Sequence, residues 1–283
     1  VKHYIFWSAG FDSTYLVCRR LIMERVPIEI HYLNFPCDGY DAHHHIPVFA
    51  SPETRLSSLD IENENIVQVD PYGRKSYGRL TRDIEIKVMN KLRGMIIEQF
   101  PFTEELFPPL FVVDNVEIEP DFLEDMIYLQ REYGCRWDRA EQQLYMVAYS
   151  LQQDNLFEIA YEEGMGYTGD PDSYTPATSF IRENCDENFR VNGDKVPEMN
   201  HYRNISIPVC KVWRSEMVDH AIEYNFTNIL ENTWSCRFPK PNGDICDGKW
   251  IENPEIHCMH IEHGDAFKKI NRKTNYNDIL NVS

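Results

Sequence analysis

Two groups of residues, at opposite ends of the chain, have the types and spacing for chemistry. Near the start, Trp7-Ser8-Ala9-Gly10-Phe11-Asp12-Ser13-Thr14 joins a β-favouring run, Lys2 to Trp7, to a segment with Tyr15, Leu16, Leu21 and Ile22 at helical spacing. Small residues in a turn between strand and helix let main-chain N–H groups converge on an anion. The hydroxyls of Ser8, Ser13 and Thr14 can donate to the same phosphate oxygens. Asp12 suits such a cradle only if it caps the helix, bonds to the loop or holds a divalent cation, because a bare carboxylate repels phosphate. An ordinary turn with Asp12 or Ser13 as N-cap accounts for the spacing equally well.

Near the other end, Cys236, Cys246, His257, Cys258, His260 and His263 offer six metal ligands within 28 residues. Zinc takes four, in a tetrahedron. Cys236, Cys246, Cys258 and His260 form the favoured set, since thiolates outcompete imidazole for zinc. Cys236, Cys246, His257 and His260 form the rival set, His263 can also substitute, and free thiols with surface histidines are the alternative to any metal. The chain beyond Asn232 is rich in Pro, Gly, Cys and His, and a segment this small often needs a metal or a disulfide to be ordered. A closed four-ligand site there would be structural, because catalytic zinc keeps an open position.

The elements that must position these groups follow from the pattern between them. Strands are expected at Lys2 to Trp7, Ile28 to Leu33, Ile66 to Val69, Leu156 to Ala160 and Ile205 to Ile207. Helices are expected at Ser13 to Glu24, Pro52 to Leu59, Arg82 to Glu98, Glu119 to Tyr133, Trp137 to Gln153 and Ser215 to Tyr224. Such alternation predicts an α/β fold with an open, mostly parallel sheet, and ligands at the carboxyl ends of its strands. The organisation read from this is an α/β domain over residues 1–230, the nucleotide-binding one on the resemblance given below, and a candidate zinc-binding segment over 231–283.

Charge and composition narrow the function. The 283 residues carry 46 Asp and Glu against 28 Lys and Arg, a formal charge of −18. That excess disfavours a nucleic-acid polymer as partner and would be repelled by anionic lipid. No run approaches the roughly 18 apolar residues of a membrane helix. At 42% hydrophobic and 13% aromatic the chain is globular. Val1 to Trp7 shows no secretory pattern, and Cys18, Cys37, Cys135, Cys185 and Cys210 are scattered singly. The expectation is a cytoplasmic protein with reduced thiols.

Ser-Ala-Gly-Phe-Asp-Ser-Thr resembles the Ser-Gly-Gly-x-Asp-Ser motif of the PP-loop ATP pyrophosphatases. Ala9 stands for the first glycine, a mild departure where its φ is negative. No Gly-Lys-Ser/Thr follows, so this is not a Walker loop. Three later segments resemble 7-cyano-7-deazaguanine synthase: Glu163 to Asp170, its Gly-x-x-x-x-Asp segment; Ile207 to Val218, its Pro-Leu-x-x-x-Ser-Lys-x-Glu-Ile-Val segment; and Thr233-Trp234-Ser235-Cys236, its Thr-x-Ser-Cys opening of the metal site. Residues 70–134 have no counterpart in that family.

The resemblance implies a flavodoxin-like parallel sheet with helices on both faces. It implies ATP bound by Ser8, Ala9, Gly10, Phe11, Asp12, Ser13 and Thr14, Mg2+ bridging its phosphates, and a zinc ion in the tail. The activity implied is adenylation of a deazapurine carboxylate, with pyrophosphate released and the adenylate resolved by a nitrogen donor such as ammonia. Asp12 and Lys211 are the expected catalytic residues, and Arg214 is a second cation in the same segment. Asp170 and Asp172 are candidate magnesium ligands or turn caps; Arg136 and Arg139 match an arginine-containing loop near ATP. Asp38 to Asp41 matches an Asp-Tyr-Gly segment near the adenosine, and His43-His44-His45 reads as a solvated loop. Arg19 and Arg20 read as solvated helix charges, with one of them a candidate for the cleft. The family often forms dimers, so a homodimer is expected. A tRNA-modifying enzyme, a deazaguanine-peptide ligase and a non-catalytic nucleotide-binding module are the alternatives.

Overall fold

The runs that open the chain pair directly. His3–Phe6 forms β1 and Ile28–Leu33 forms β2, parallel, with His3 beside Ile28 and Phe6 beside His31. This computed structural model describes residues 2–34, 68–69, 75–76, 82–114, 116–119, 121–122, 124–125, 128, 140–160, 184–194, 196–234 and 269–280. Between the two strands lies α1 (Phe11–Cys18), which starts two residues before the expected Ser13 and continues as a π-helical turn, Arg19–Met23. Pro27 then leads into β2, and its carbonyl accepts the His3 N–H at 3.0 Å.

The third strand of the main sheet is not the expected one. Gln68–Val69 (β3) pairs antiparallel with Lys75–Ser76 (β4) in a separate two-stranded unit. After α2 (Arg82–Gln99) and a 3-10 turn at Pro101–Leu106, Phe111–Val113 forms β5, parallel to β2. Helix α3 (Ala140–Gln153) precedes β6 (Phe157–Glu158), and a 3-10 segment, Pro197–Asn204, precedes β7 (Ile205–Ser206).

The five-stranded sheet is parallel throughout, in the order β5-β2-β1-β6-β7. Its strands therefore stand 3-2-1-4-5 in chain order. A flavodoxin-like sheet runs 2-1-3-4-5, so that expectation is corrected. The difference arises because β5 adds outside β2, leaving the other edge of β1 for β6. The order reverses between β1 and β6.

Both faces of the sheet are covered. Ile5, Ile28, Ile30 and Tyr32 pack with α1, α2, α4 (Arg214–Glu223), α5 (Thr227–Glu231) and α6 (Tyr276–Leu280). Tyr4, Phe6, Leu33 and Phe157 face the opposite core, which includes Val147 and Tyr149 of α3 and Tyr202 of the 3-10 segment. Trp234, Ile270 and Ile279 are buried in the first core, so residues on both sides of 230/231 share it. Among the described residues no helix is long and apolar enough to cross a membrane.

Phe157 sits at the centre of the second core. Its ring stacks on Phe6 at 4.6 Å and meets Tyr149 edge-on at 5.5 Å, fully buried. Phe157→Ala should lower the free energy of unfolding by about 3–5 kcal/mol in denaturant titration. A loss under about 1 kcal/mol would mean that the sheet centre repacks freely.

Candidate functional site

In open parallel sheets ligands bind beyond the carboxyl ends of the strands, where the order reverses. The turn after β1 occupies that place. The Trp7 N–H donates to the His31 carbonyl at 3.1 Å, which keeps the chain in register with β2 for one residue past β1. The buried Trp7 indole N–H donates to Thr14 Oγ1 at 2.9 Å and closes the turn from inside. Gly10 is the N-cap of α1, with φ −67° and ψ 161° and no side-chain cap. Its carbonyl accepts the Thr14 N–H at 2.9 Å and the Ser13 hydroxyl at 3.2 Å. Neither Asp12 nor Ser13 is the cap.

The seven loop residues divide by burial. Ala9, Phe11 and Thr14 belong to the interior, whereas Ser8, Gly10, Asp12 and Ser13 are half-buried. Thr14 thus holds the turn in shape, and Ser8 and Ser13 are the hydroxyls nearer solvent. A Cβ at Gly10 would lie 3.5 Å from Ser8 Oγ and 3.7 Å from Ser13 Oγ, so both hydroxyls lie close to the open side of Gly10. Ala9 has a φ of 59° and is fully buried. The exchange of glycine for alanine is therefore not a mild one, since left-handed backbone costs a residue with a Cβ roughly 1–2 kcal/mol.

Asp12 is held by Arg214. The guanidinium donates to both carboxylate oxygens, Nε to Oδ1 at 3.1 Å and Nη2 to Oδ2 at 3.0 Å, with side-chain exposures of 19% and 17%. Such a fork favours a planar carboxylate or a phosphate. Arg214 opens α4, and the Trp213 N–H before it donates to Glu216 Oε2 at 2.7 Å, fixing the helix start. Lys211 is exposed, with its ammonium 5.1 Å from the centre of the Phe189 ring. Of the two cations in this segment, Arg214 is the one joined to the loop.

Many expected residues lie outside the described ones. These are Cys236, Cys246, Cys258 and His260 with His257 and His263, and also Asp170, Asp172, Arg136, Arg139, Asp38 to Asp41 and His43 to His45. Among the described residues no group of His, Cys, Asp and Glu could hold a metal ion.

Two polar clusters escaped the sequence reading. Arg20 faces neither solvent nor cleft: it forks onto the buried Glu158 of β6 at 2.9 and 2.8 Å and also bonds to Glu24. His3 Nδ1 lies 2.6 Å from the same Glu158. Burial pulls the Arg20 pKa down, but its bonds to Glu158 and Glu24 outweigh that and leave it raised. On the other face, His31 Nδ1 lies 3.0 Å from the Tyr149 hydroxyl and Nε2 3.0 Å from Glu29 Oε1. Lys2 bonds to Glu29 at 2.9 Å. The available signal was a charged residue inside a buried strand, Glu158 after Phe157.

Comparison with protein-family models, with curated proteins and with solved structures returned no match.

Burial pushes the His31 imidazole below its ordinary 6.5, against the opposing pull of Glu29. The unfolded chain then takes up this proton first, so the His31 contribution is complete above pH 6.5 and declines as pH falls below it. Glu29 titrates below its ordinary 4.5, chiefly through Lys2, so its contribution is lost only as pH falls through that depressed value. Unfolding free energy measured across pH should show both losses, and His31→Gln should flatten the upper one. A wild-type profile that is flat from about pH 7 to 5 would contradict this reading.

Proposed function

We propose that the chain is an ATP-dependent ligase of the PP-loop kind, adenylating a 7-deazaguanine carboxylate or a similar acid and transferring it to a nitrogen donor such as ammonia. The observation that carries the proposal is the Asp12–Arg214 pair in the turn at the reversal of strand order. It sets a guanidinium from the start of α4 against a carboxylate of the small-residue turn. The N–H groups opening α1 and the Ser8 hydroxyl are donors suited to phosphate oxygens, and the Ser13 hydroxyl would join them by turning from the Gly10 carbonyl. Magnesium arriving with ATP would supply further charge neutralisation, and Asp12 is the described carboxylate suited to it.

In the proposed reaction the substrate carboxylate oxygen attacks the α-phosphorus, and the bond to pyrophosphate breaks. The nitrogen donor then attacks the acyl carbon, AMP departs, and an amide with one proton released is the product. The protein's share is positioning and charge: Arg214 neutralises the phosphoryl oxygens, and the Trp7–Thr14 bond keeps the turn rigid. The flavodoxin-like label is not needed for this reading, because nucleotide binding at a reversal of strand order is common to both sheet orders. A small-molecule acid suits a chain of charge −18 better than a nucleic-acid polymer. A homodimer, a cytoplasmic setting and zinc held by Cys236, Cys246, Cys258 and His260 belong to the same proposal.

Purified protein with zinc, magnesium and ammonia should release pyrophosphate from ATP only when a 7-deazaguanine carboxylate is present. Asp12→Ala and Arg214→Ala should each lower the rate about 100-fold or more, and Lys211→Ala decides whether the exposed lysine shares the work. Unchanged ATP and carboxylate with the wild-type protein would sink the assignment. Elemental analysis should find about one zinc per chain, reduced by Cys236→Ser, and metal-free active protein would remove zinc from the proposal.

A further inference from the structure

We infer that Trp234 is a positioning residue of the turn after β1, setting which end of the Ala9–Gly10 peptide faces a bound anion. The inference rests on the phosphate-binding reading of that turn. The Trp234 main-chain N–H donates to the Ala9 carbonyl at 2.9 Å. In a trans peptide the carbonyl and the following N–H point in opposite directions. Trp234 is 1% exposed, with its ring edge-on to Tyr276, so the bond turns the Ala9 carbonyl into the core. The Gly10 N–H therefore points away from the core side, at a half-buried residue with the Ser8 and Ser13 hydroxyls close beside it. With the peptide reversed, a carbonyl oxygen would stand in place of that N–H and repel phosphate.

Ala9 does not favour this arrangement by itself. Its φ of 59° is one that alanine rarely adopts, and such a conformation persists only where neighbours over-determine it. Trp234 is in turn tied down by the C-terminal part of the chain. Glu231 Oε1 accepts the Asn271 N–H at 2.8 Å, and the Glu231 carbonyl accepts the Lys273 N–H at 2.9 Å. Thr233, between them, donates its hydroxyl to the Leu230 carbonyl at 2.7 Å. Residues 231–234 and 269–273 thus form a clasp that reaches the turn through one main-chain bond.

Inorganic pyrophosphate, titrated into the full chain, is the probe. Glu231→Ala should weaken its binding on the order of tenfold. Glu231→Gln should bind as the wild type does, because the amide oxygen still accepts the Asn271 N–H. Ala9→Gly in the Glu231→Ala background should restore most of the loss, since glycine takes a positive φ without the alanine penalty. Wild-type affinity in Glu231→Ala, or a loss that Ala9→Gly does not restore, would overturn the inference. If Glu231→Ala does not fold, exchange of the Trp234 amide proton in the wild type serves instead: it should slow with pyrophosphate, and an unchanged rate would overturn the inference. A wild-type chain that binds no pyrophosphate would instead reject the phosphate site itself.

Discussion

A carboxylate in the first turn of a helix is favoured by the helix dipole, yet in an anion-binding turn it opposes the ligand. Arg214 holds Asp12 by a two-point contact made across 202 residues of sequence, and in the proposed phosphate site it would offset that carboxylate. The contact joins the turn after β1 to the start of α4, so the α1–α4 packing and the charge at the turn are set together. Tyr15, one turn along α1, meets His220 of α4 at 2.6 Å and adds a second polar link between the same helices. Burial pushes the Tyr15 hydroxyl up to about 12, so it keeps its proton at ordinary pH.

The sheet beneath is held with similar directness. Glu158 on β6 takes the Arg20 fork from the turn following α1, across the two strands between which the order reverses. Burying such a pair costs desolvation, and its return is a defined geometry more than net stability. Here the geometry fixed is that of α1 against β6. Trp234 and α6 then complete the core beside α1.

Local pattern read much of this correctly, and the reasons for its failures are physical. The β2 run of Ile28–Leu33 places β-favouring Ile28, Ile30 and Tyr32 at every second position after Pro27, and α2 repeats its buried residues at helical spacing; both are local signals. Strand β5 has three residues after Pro108 and Pro109, too short to show a period. The β3 run is a strand, but nothing within it tells which partner it takes. Strand order is likewise a property of the whole chain, which is why 3-2-1-4-5 was not read. At the site, the position of the turn between strand and helix was legible, whereas the choice of Arg214 over Lys211 beside Asp12 depends on where α4 begins. The positive φ of Ala9 goes with a bond from a partner at residue 234, beyond any local reading.

We propose that a nucleotide's phosphates bind at the turn from Ser8 to Thr14, beside Arg214. Hydrogen–deuterium exchange with and without magnesium and ATP tests it most directly. The account predicts slowed exchange at residues 8–14 and at the start of α4. Exchange that is unchanged there, while ATP binding protects other parts of the chain, would contradict it.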